Sequence, residues 1–108
     1  MTTDEQHTML ELAAKAAGIE WPQNLTSAQI QIEGMRYWNP IESSADCGEL
    51  EAKLMVCVQW FQDAVTTHCH TATKLQLATE KYADHNGDRQ AARRMAVTKL
   101  AAKIGGMR

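Results

Sequence analysis

The sequence predicts an α+β domain: a small, mainly antiparallel β-sheet with N- and C-terminal helices packed on it and a short middle helix. Three observations predict it. Apolar residues recur at helical spacing near both ends of the chain. The middle carries several short runs of period-two alternation. Turn residues, rather than linkers, separate these runs, and 108 residues fit a single domain spanning 1–108.

The elements follow in order. Thr3-Asp4-Glu5-Gln6 fits a capping box, with the Thr3 hydroxyl over the first free amides and Gln6 reaching back. Leu10, Ala13, Ala14 and Ala17 share a helical face and Gly18 suits a left-handed stop, giving a first helix from about Asp4 to Ala17. Its small residues suit close packing against a sheet. Ile19-Glu20-Trp21 is a short extended piece stopped by Pro22. Ala28, Ile30 and Ile32 then alternate with Gln29, Gln31 and Glu33, a strand with one wet face that Gly34 breaks.

Tyr37-Trp38-Asn39-Pro40-Ile41 organises what comes next. Pro40 biases Asn39 towards extended backbone. Ser43 or Ser44 can cap a short second helix, with Asp46 in its first turn and an end near Lys53. This helix is expected across an end of the sheet or on its opposite face. Leu54, Val56, Val58 and Trp60 lie on one face of the following strand, and Met55, Cys57, Gln59 and Phe61 on the other. Both faces are largely apolar, which predicts a central strand covered on both sides.

After Gln62-Asp63, Val65, Thr67 and Cys69 alternate with Thr66, His68 and His70. Thr73 to Thr79 reads as a further antiparallel strand, because Leu75 and Leu77 alternate with Lys74 and Gln76; Leu75, Ala78 and Tyr82 would also fit a helix face. Asn86-Gly87 makes a turn and Asp88 an N-cap. Ala92, Ala96, Val97, Leu100 and Ile104 define a closing helix that Gly105-Gly106 ends. Arg93 lies near the centre of its apolar face, so it must reach solvent or find an acidic partner.

A net charge of −2 leaves no general nucleic-acid or membrane footprint, but the charges are split. From Asn86 onwards there are six basic residues (Arg89, Arg93, Arg94, Lys99, Lys103 and Arg108) against Asp88 alone. Mutual neutralisation of a basic last helix and an acidic body is the simpler account, a basic binding face the other. The three cysteines are an odd number without framework spacing. No basic region followed by an apolar run stands at the N-terminus, so no signal peptide is expected, and no window approaches the roughly 18 apolar residues of a membrane span. The expectation is a reduced, cytoplasmic protein with free thiols and no membrane contact.

Chemistry-bearing motifs are sparse. His68-Cys69-His70 puts two imidazoles on one strand face, with Cys69 pointing the other way. Further ligands would have to come from Cys57, Asp63 or His85, none at a recognised spacing, so an exposed strand face with a core cysteine is the reading. Cys47 opens the second helix between Asp46 and Glu49, with no histidine near it in sequence, and reads as a buried small residue. Asp84-His85-Asn86-Gly87-Asp88 lacks the spacing and closing glutamate of a calcium loop. No phosphate-binding glycine loop or serine elbow occurs. A non-enzyme without cofactor or metal is expected. Candidate binding residues are Arg36, Tyr37 and Trp38, together with Arg89, Arg93 and Arg94 on the basic helix. Trp21, Trp38 and Trp60 read chiefly as core anchors.

Three stretches carry a family resemblance: Leu10-Glu11-Leu12-Ala13-Ala14-Lys15-Ala16-Ala17-Gly18-Ile19, Tyr37-Trp38-Asn39-Pro40-Ile41, and Ala91-Ala92-Arg93-Arg94-Met95-Ala96-Val97 continuing to Ala101-Ala102-Lys103-Ile104-Gly105. In this order and spacing the chain resembles the small phage and prophage proteins of the phage ABA-sandwich domain family. The segment from Gln62 to His85 departs from that pattern. The resemblance implies a phage-encoded protein with a small sheet between helices, and it brings no catalytic residues. By analogy with small phage accessory proteins, it implies binding to a host protein, with inhibition of an antiviral defence factor as the leading case. Nucleic-acid or nucleotide binding through the basic C-terminal helix is the alternative, and pairing of acidic body with basic helix between copies could give a homo-oligomer.

Overall fold

The computed structural model describes residues 3–18, 31–32, 36–37, 39–71 and 74–106. The elements are α1 (Thr3–Ala17), β1 (Gln31–Ile32), β2 (Arg36–Tyr37), α2 (Ser44–Leu54), β3 (Cys57–Trp60), β4 (Ala64–His70), β5 (Leu75–Lys81), a 3-10 turn over Tyr82–His85, and α3 (Arg89–Gly106). β3, β4 and β5 form an antiparallel meander in that order, and β1 pairs with β2 as a separate two-stranded unit. The protein is α+β, with N- and C-terminal helices and the sheet between them in chain order. Residues 19–30, where two extended pieces were expected, lie outside the described residues.

α3 is the middle layer. One side of it lies on β4 and β5, and α1 and α2 pack against the rest. Leu10, Ala13, Ala14, Cys47, Leu50, Val97 and Ala101 make one buried cluster, with Val56 and Val58 against it. Ala16 of α1 joins Cys69, Leu100 and Ile104 in a second. Val65, Tyr82, Ala92 and Ala96 make a third at the other end of α3. β4 alternates as its sequence predicts: Val65, Thr67 and Cys69 are buried, while Thr66, His68 and His70 face away. The Thr67 hydroxyl lies 3.2 Å from Ala96 O, fastening α3 to the sheet. α2, expected across an end of the sheet or on its opposite face, packs instead on α3 and α1, its Cys47 and Leu50 sharing the cluster on the helix side.

Gly105 permits the closest helix contact. A Cβ built there would overlap the carbonyl oxygen of Leu12 and lie 2.7 Å from its carbonyl carbon, so the two backbones touch where no side chain fits. The helix runs through Gly105 to Gly106 rather than stopping at the pair. The glycine serves packing, and the small residues of α1 face α3 more than the sheet.

β3 departs from its expected place. It is four residues long and an edge strand, and β4 holds the centre. Leu54 belongs to α2, and Met55 ends that helix in the left-handed conformation (φ 55°, ψ 47°) with its side chain 83% exposed. The first three residues of the run that suggested a strand buried on both faces, Leu54, Met55 and Val56, therefore belong to a helix end and the link after it. Trp60 is not a core anchor either: it is exposed, with its ring tilted against Tyr82 at 6.4 Å.

Candidate binding surfaces

The turn at Asn39-Pro40-Ile41 shows how the expected site residues are held. Ser43 caps α2, its Oγ accepting from Asp46 N at 3.2 Å. Asp46, fully buried, accepts from Asn39 N through Oδ2 at 2.8 Å. Asn39 Oδ1 in turn accepts from Ile41 N at 3.0 Å, an Asx turn ahead of the cap. From α3, Arg94 donates through Nε to Ile41 O at 2.8 Å and through Nη1 to Ser44 Oγ at 3.2 Å. Arg94, a candidate for binding, is thus the clamp that joins the turn to α3.

The other cations of α3 also meet partners within the chain. Arg93 donates to Glu51 Oε2 at 2.7 Å, so of the two outcomes its place on the apolar face allowed, solvent or an acidic partner, the fold supplies the partner. Lys99 meets Glu80 Oε2 at 2.7 Å, and the other oxygen of that carboxylate lies 2.9 Å from His85 Nε2. Lys103 donates to Leu77 O at 2.7 Å. Arg89 sits over the Tyr82 ring at 5.0 Å, while Tyr82 donates its hydroxyl to Phe61 O at 2.8 Å. These contacts distribute the charge of α3 into the fold, and they do not gather Arg89, Arg93 and Arg94 into one open face. Arg36 and Tyr37 form β2, opposite Ile32 and Gln31, and Trp38 lies outside the described residues.

Thiol and imidazole chemistry has little to build on. Burial pushes the Cys47 thiol up to about 12, and the nearby Glu51 carboxylate adds to this against the opposing pull of Arg93 and Arg94. Burial also raises Cys69. Cys57 is exposed and lies across from His68 on the outer face of the sheet, with Leu77 in the same row. Among the described residues no three histidine, cysteine or carboxylate side chains come together as a metal site.

The surface that the sequence did not announce is this outer face. β5 is inside out. Its Gln76 is only 8% exposed, with Nε2 lacking a hydrogen-bond partner among the described residues, and Glu80 also turns to the helix side. Leu75 and Leu77 point the other way and are 45% and 47% exposed. Beside them run His70, His68 and Cys57 in register, then Thr66 and Thr79 with their hydroxyls 2.9 Å apart. Lys81 ends the β5 row, and no carboxylate lies on this face of the three strands. Phe61, just past β3, is exposed as well. The signal in the sequence was the pair of leucines itself, but alternation says only that they share a face, not which face is buried.

Among the described residues no helix is long and apolar enough to cross a membrane. No family model, curated protein or solved structure matches the chain.

Proposed function

We propose that this chain is a small, non-enzymatic, phage-encoded accessory protein that works in the host cytoplasm by binding a host protein through the outer face of its sheet. A factor of antiviral defence is the class of target this reading names. The observation that carries it is the inverted β5, which turns two leucines to solvent while a glutamine occupies the buried side. An exposed apolar row and a buried amide nitrogen without a partner among the described residues are both unfavourable for folding alone, and a partner on the outer face removes the first of these penalties. Lys81 and the lack of carboxylates on that face suit a partner surface of apolar and acidic side chains. The phage context rests on the three resembling stretches.

Capture from host lysate tests this directly, comparing the wild-type chain with Leu75→Ser/Leu77→Ser. A protein retained by the first and lost from the second supports the reading. Identical captured sets, or loss of folding cooperativity as the cause of the difference, count against it. The alternative, nucleic-acid or nucleotide binding through α3, would have to draw Arg93, Arg94 and Lys99 away from Glu51, Ile41 and Glu80. A labelled oligonucleotide titrated over a salt series decides it, since phosphate contacts lose affinity steeply with salt.

A further inference from the structure

The edge of the sheet at β5 is a second surface, distinct from the outer face. Among the described residues β5 pairs with β4 alone, so its other edge carries no strand. Hydrogen bonds at the two ends of this ladder fix which backbone groups are free: Thr71 N donates to Lys74 O at 2.9 Å, and Tyr82 N to Asp63 O at 3.1 Å. Alternation between these ends turns the backbone of Gln76, Ala78 and Glu80 towards β4, and the N–H and C=O of Leu75, Leu77, Thr79 and Lys81 outwards. Lys103 agrees, since the carbonyl that its Nζ reaches, Leu77 O, is one of the outward ones. On the helix side of the strand stand Gln76, whose buried Nε2 lacks a partner among the described residues, then Ala78 and Glu80.

We propose that β5 pairs antiparallel with β5 of a second copy about a twofold axis at Ala78, joining the two meanders into one continuous sheet. Free backbone groups select a strand as the occupant, because a helix or an acyl chain offers them no complement. The pattern along β5 selects its own copy. Centred on Ala78, the pairing uses the whole strand from Leu75 to Lys81, with Leu75 opposite Lys81 and Leu77 opposite Thr79 of the second copy. On the helix side the same register sets Gln76 opposite Glu80 of the second copy, twice by symmetry. The amide without an acceptor thus faces a carboxylate. Glu80 meets Lys99 through one oxygen at 2.7 Å and His85 through the other at 2.9 Å, and each oxygen keeps a second lone pair. Lys103, anchored beside Gln76 at Leu77 O, gains the opposite charge of the same carboxylate. Shifting the register either way leaves strand ends unpaired and parts Gln76 from Glu80. Ala78 leaves room at the axis. α3 lies over β4 and β5, and strands about 4.8 Å apart put the two copies of α3 about 10 Å from each other, an ordinary packing distance. The contact uses the edge and not the face, so it does not rest on the host-protein reading.

Sedimentation velocity of the full chain from about 1 µM to about 1 mM tests this. A strand-edge contact is a small interface, so the dimer should dominate only at on the order of 100 µM and above. The mass of one chain throughout overturns the proposal. Gln76→Met should weaken association by at least about tenfold, since two hydrogen bonds to a charged group are lost; unchanged association overturns the register. Cross-linking tests it without relying on a loss. In a Cys57→Ser background, Ala78→Cys sets a thiol directly opposite its own copy, where a disulfide fits, whereas Leu77→Cys sets the two thiols diagonally apart. With copper phenanthroline as oxidant, Ala78→Cys should cross-link at least about tenfold faster than the more exposed Leu77→Cys. Equal or reversed rates count against it. Amide exchange separates the other occupants. Leu75, Leu77, Thr79 and Lys81 should exchange freely in dilute protein and become protected in the dimer, with Gln76, Ala78 and Glu80 protected in both. Protection of the first set in a single chain would mean that its own residues cover the edge, and a dimer that leaves that set unprotected would place the interface elsewhere. Either result overturns the proposal.

Discussion

The two faces of the β3–β4–β5 sheet obey opposite rules. Under α3, β4 presents Val65, Thr67 and Cys69, all buried, and the one hydroxyl among them lies within reach of a helix carbonyl. On the other side the same strand shows Thr66, His68 and His70 beside the exposed leucines of β5. The inner face of β4 is explained by folding, since each apolar group there leaves water and the Thr67 hydroxyl has a partner. The outer face is not. The difference separates residues that hold the fold from residues available for something else, and substitutions on the two sides should differ accordingly.

The largest loss is expected on the helix side. Leu100 is fully buried and packs with Cys69 and Ile104. Leu100→Ala should lower the free energy of unfolding by about 3 kcal/mol, as the lost transfer energy and the cavity add. A urea midpoint shifted down with the slope unchanged is the expected observation, and a loss below about 1 kcal/mol would mean that α3 is loosely seated. Gly105→Ala comes next. Alanine is the better helix former by about 1 kcal/mol, yet its methyl would overlap the Leu12 carbonyl, backbone against backbone. Overpacking of this kind should leave a net loss of about 2 kcal/mol, seen as a lower thermal midpoint. An unchanged midpoint would show that α1 can shift aside.

Gln76 tests the comparison from within β5. Its buried Nε2 has no partner among the described residues, and the site is lined by the helix side of the sheet. Gln76→Met should therefore raise stability by about 1 kcal/mol, because an unsatisfied amide is replaced by an apolar group of similar length. A loss instead would show that the amide has a role in the fold.

The buried thiols add a pH signature. In the fold, burial pushes the Cys47 thiol up to about 12, well above the ordinary range of a thiol, and Cys69 is also raised. In the unfolded chain these thiols ionise first. Between the two values the native state therefore binds more protons, and stability falls as pH rises above about 9. Urea unfolding at about pH 8 and about pH 10 should show this decline, and Cys47→Ala should reduce it. Exposed Cys57 should react with a thiol reagent in the native protein, while Cys47 and Cys69 wait for unfolding.

How much of this was legible depended on whether a signal was local. The cap of α2 (to within Ser43 or Ser44), the cap at Asp88, the turn at Asn86-Gly87, the alternation of β4 and the helical face of α3 were all readable, because each rests on a few neighbouring residues. An acidic partner was one of the two outcomes that the position of Arg93 on the wheel allowed, though nothing local named Glu51. Met55 was misread as strand because methionine gives no warning of a left-handed helix stop that glycine or asparagine would. Arg94 was read as a surface cation, although its acceptors, Ile41 O and Ser44 Oγ, lie more than forty positions away. The inside-out β5 was out of reach for the same reason: period two assigns residues to faces, and only the position of α3 decides which face is covered.

The smallest effect on stability is the most informative about function. Leu77 is 47% exposed, and among the described residues no element covers the row it shares with His68 and Cys57. Leu77→Ser should change unfolding free energy by no more than about 0.5 kcal/mol, since little area returns to water. Serine is a poorer strand former than leucine, so the small change should be a loss. If the outer face engages a partner, the same substitution should weaken binding by about 2 kcal/mol, the scale of a central apolar contact at an interface. The two numbers must therefore separate. A loss of stability near that of Leu100→Ala would put Leu77 in the core of the fold, and an unchanged affinity for the captured host protein would move the interface off the sheet. Only a stable variant with lost binding keeps the outer face as the working surface of this protein.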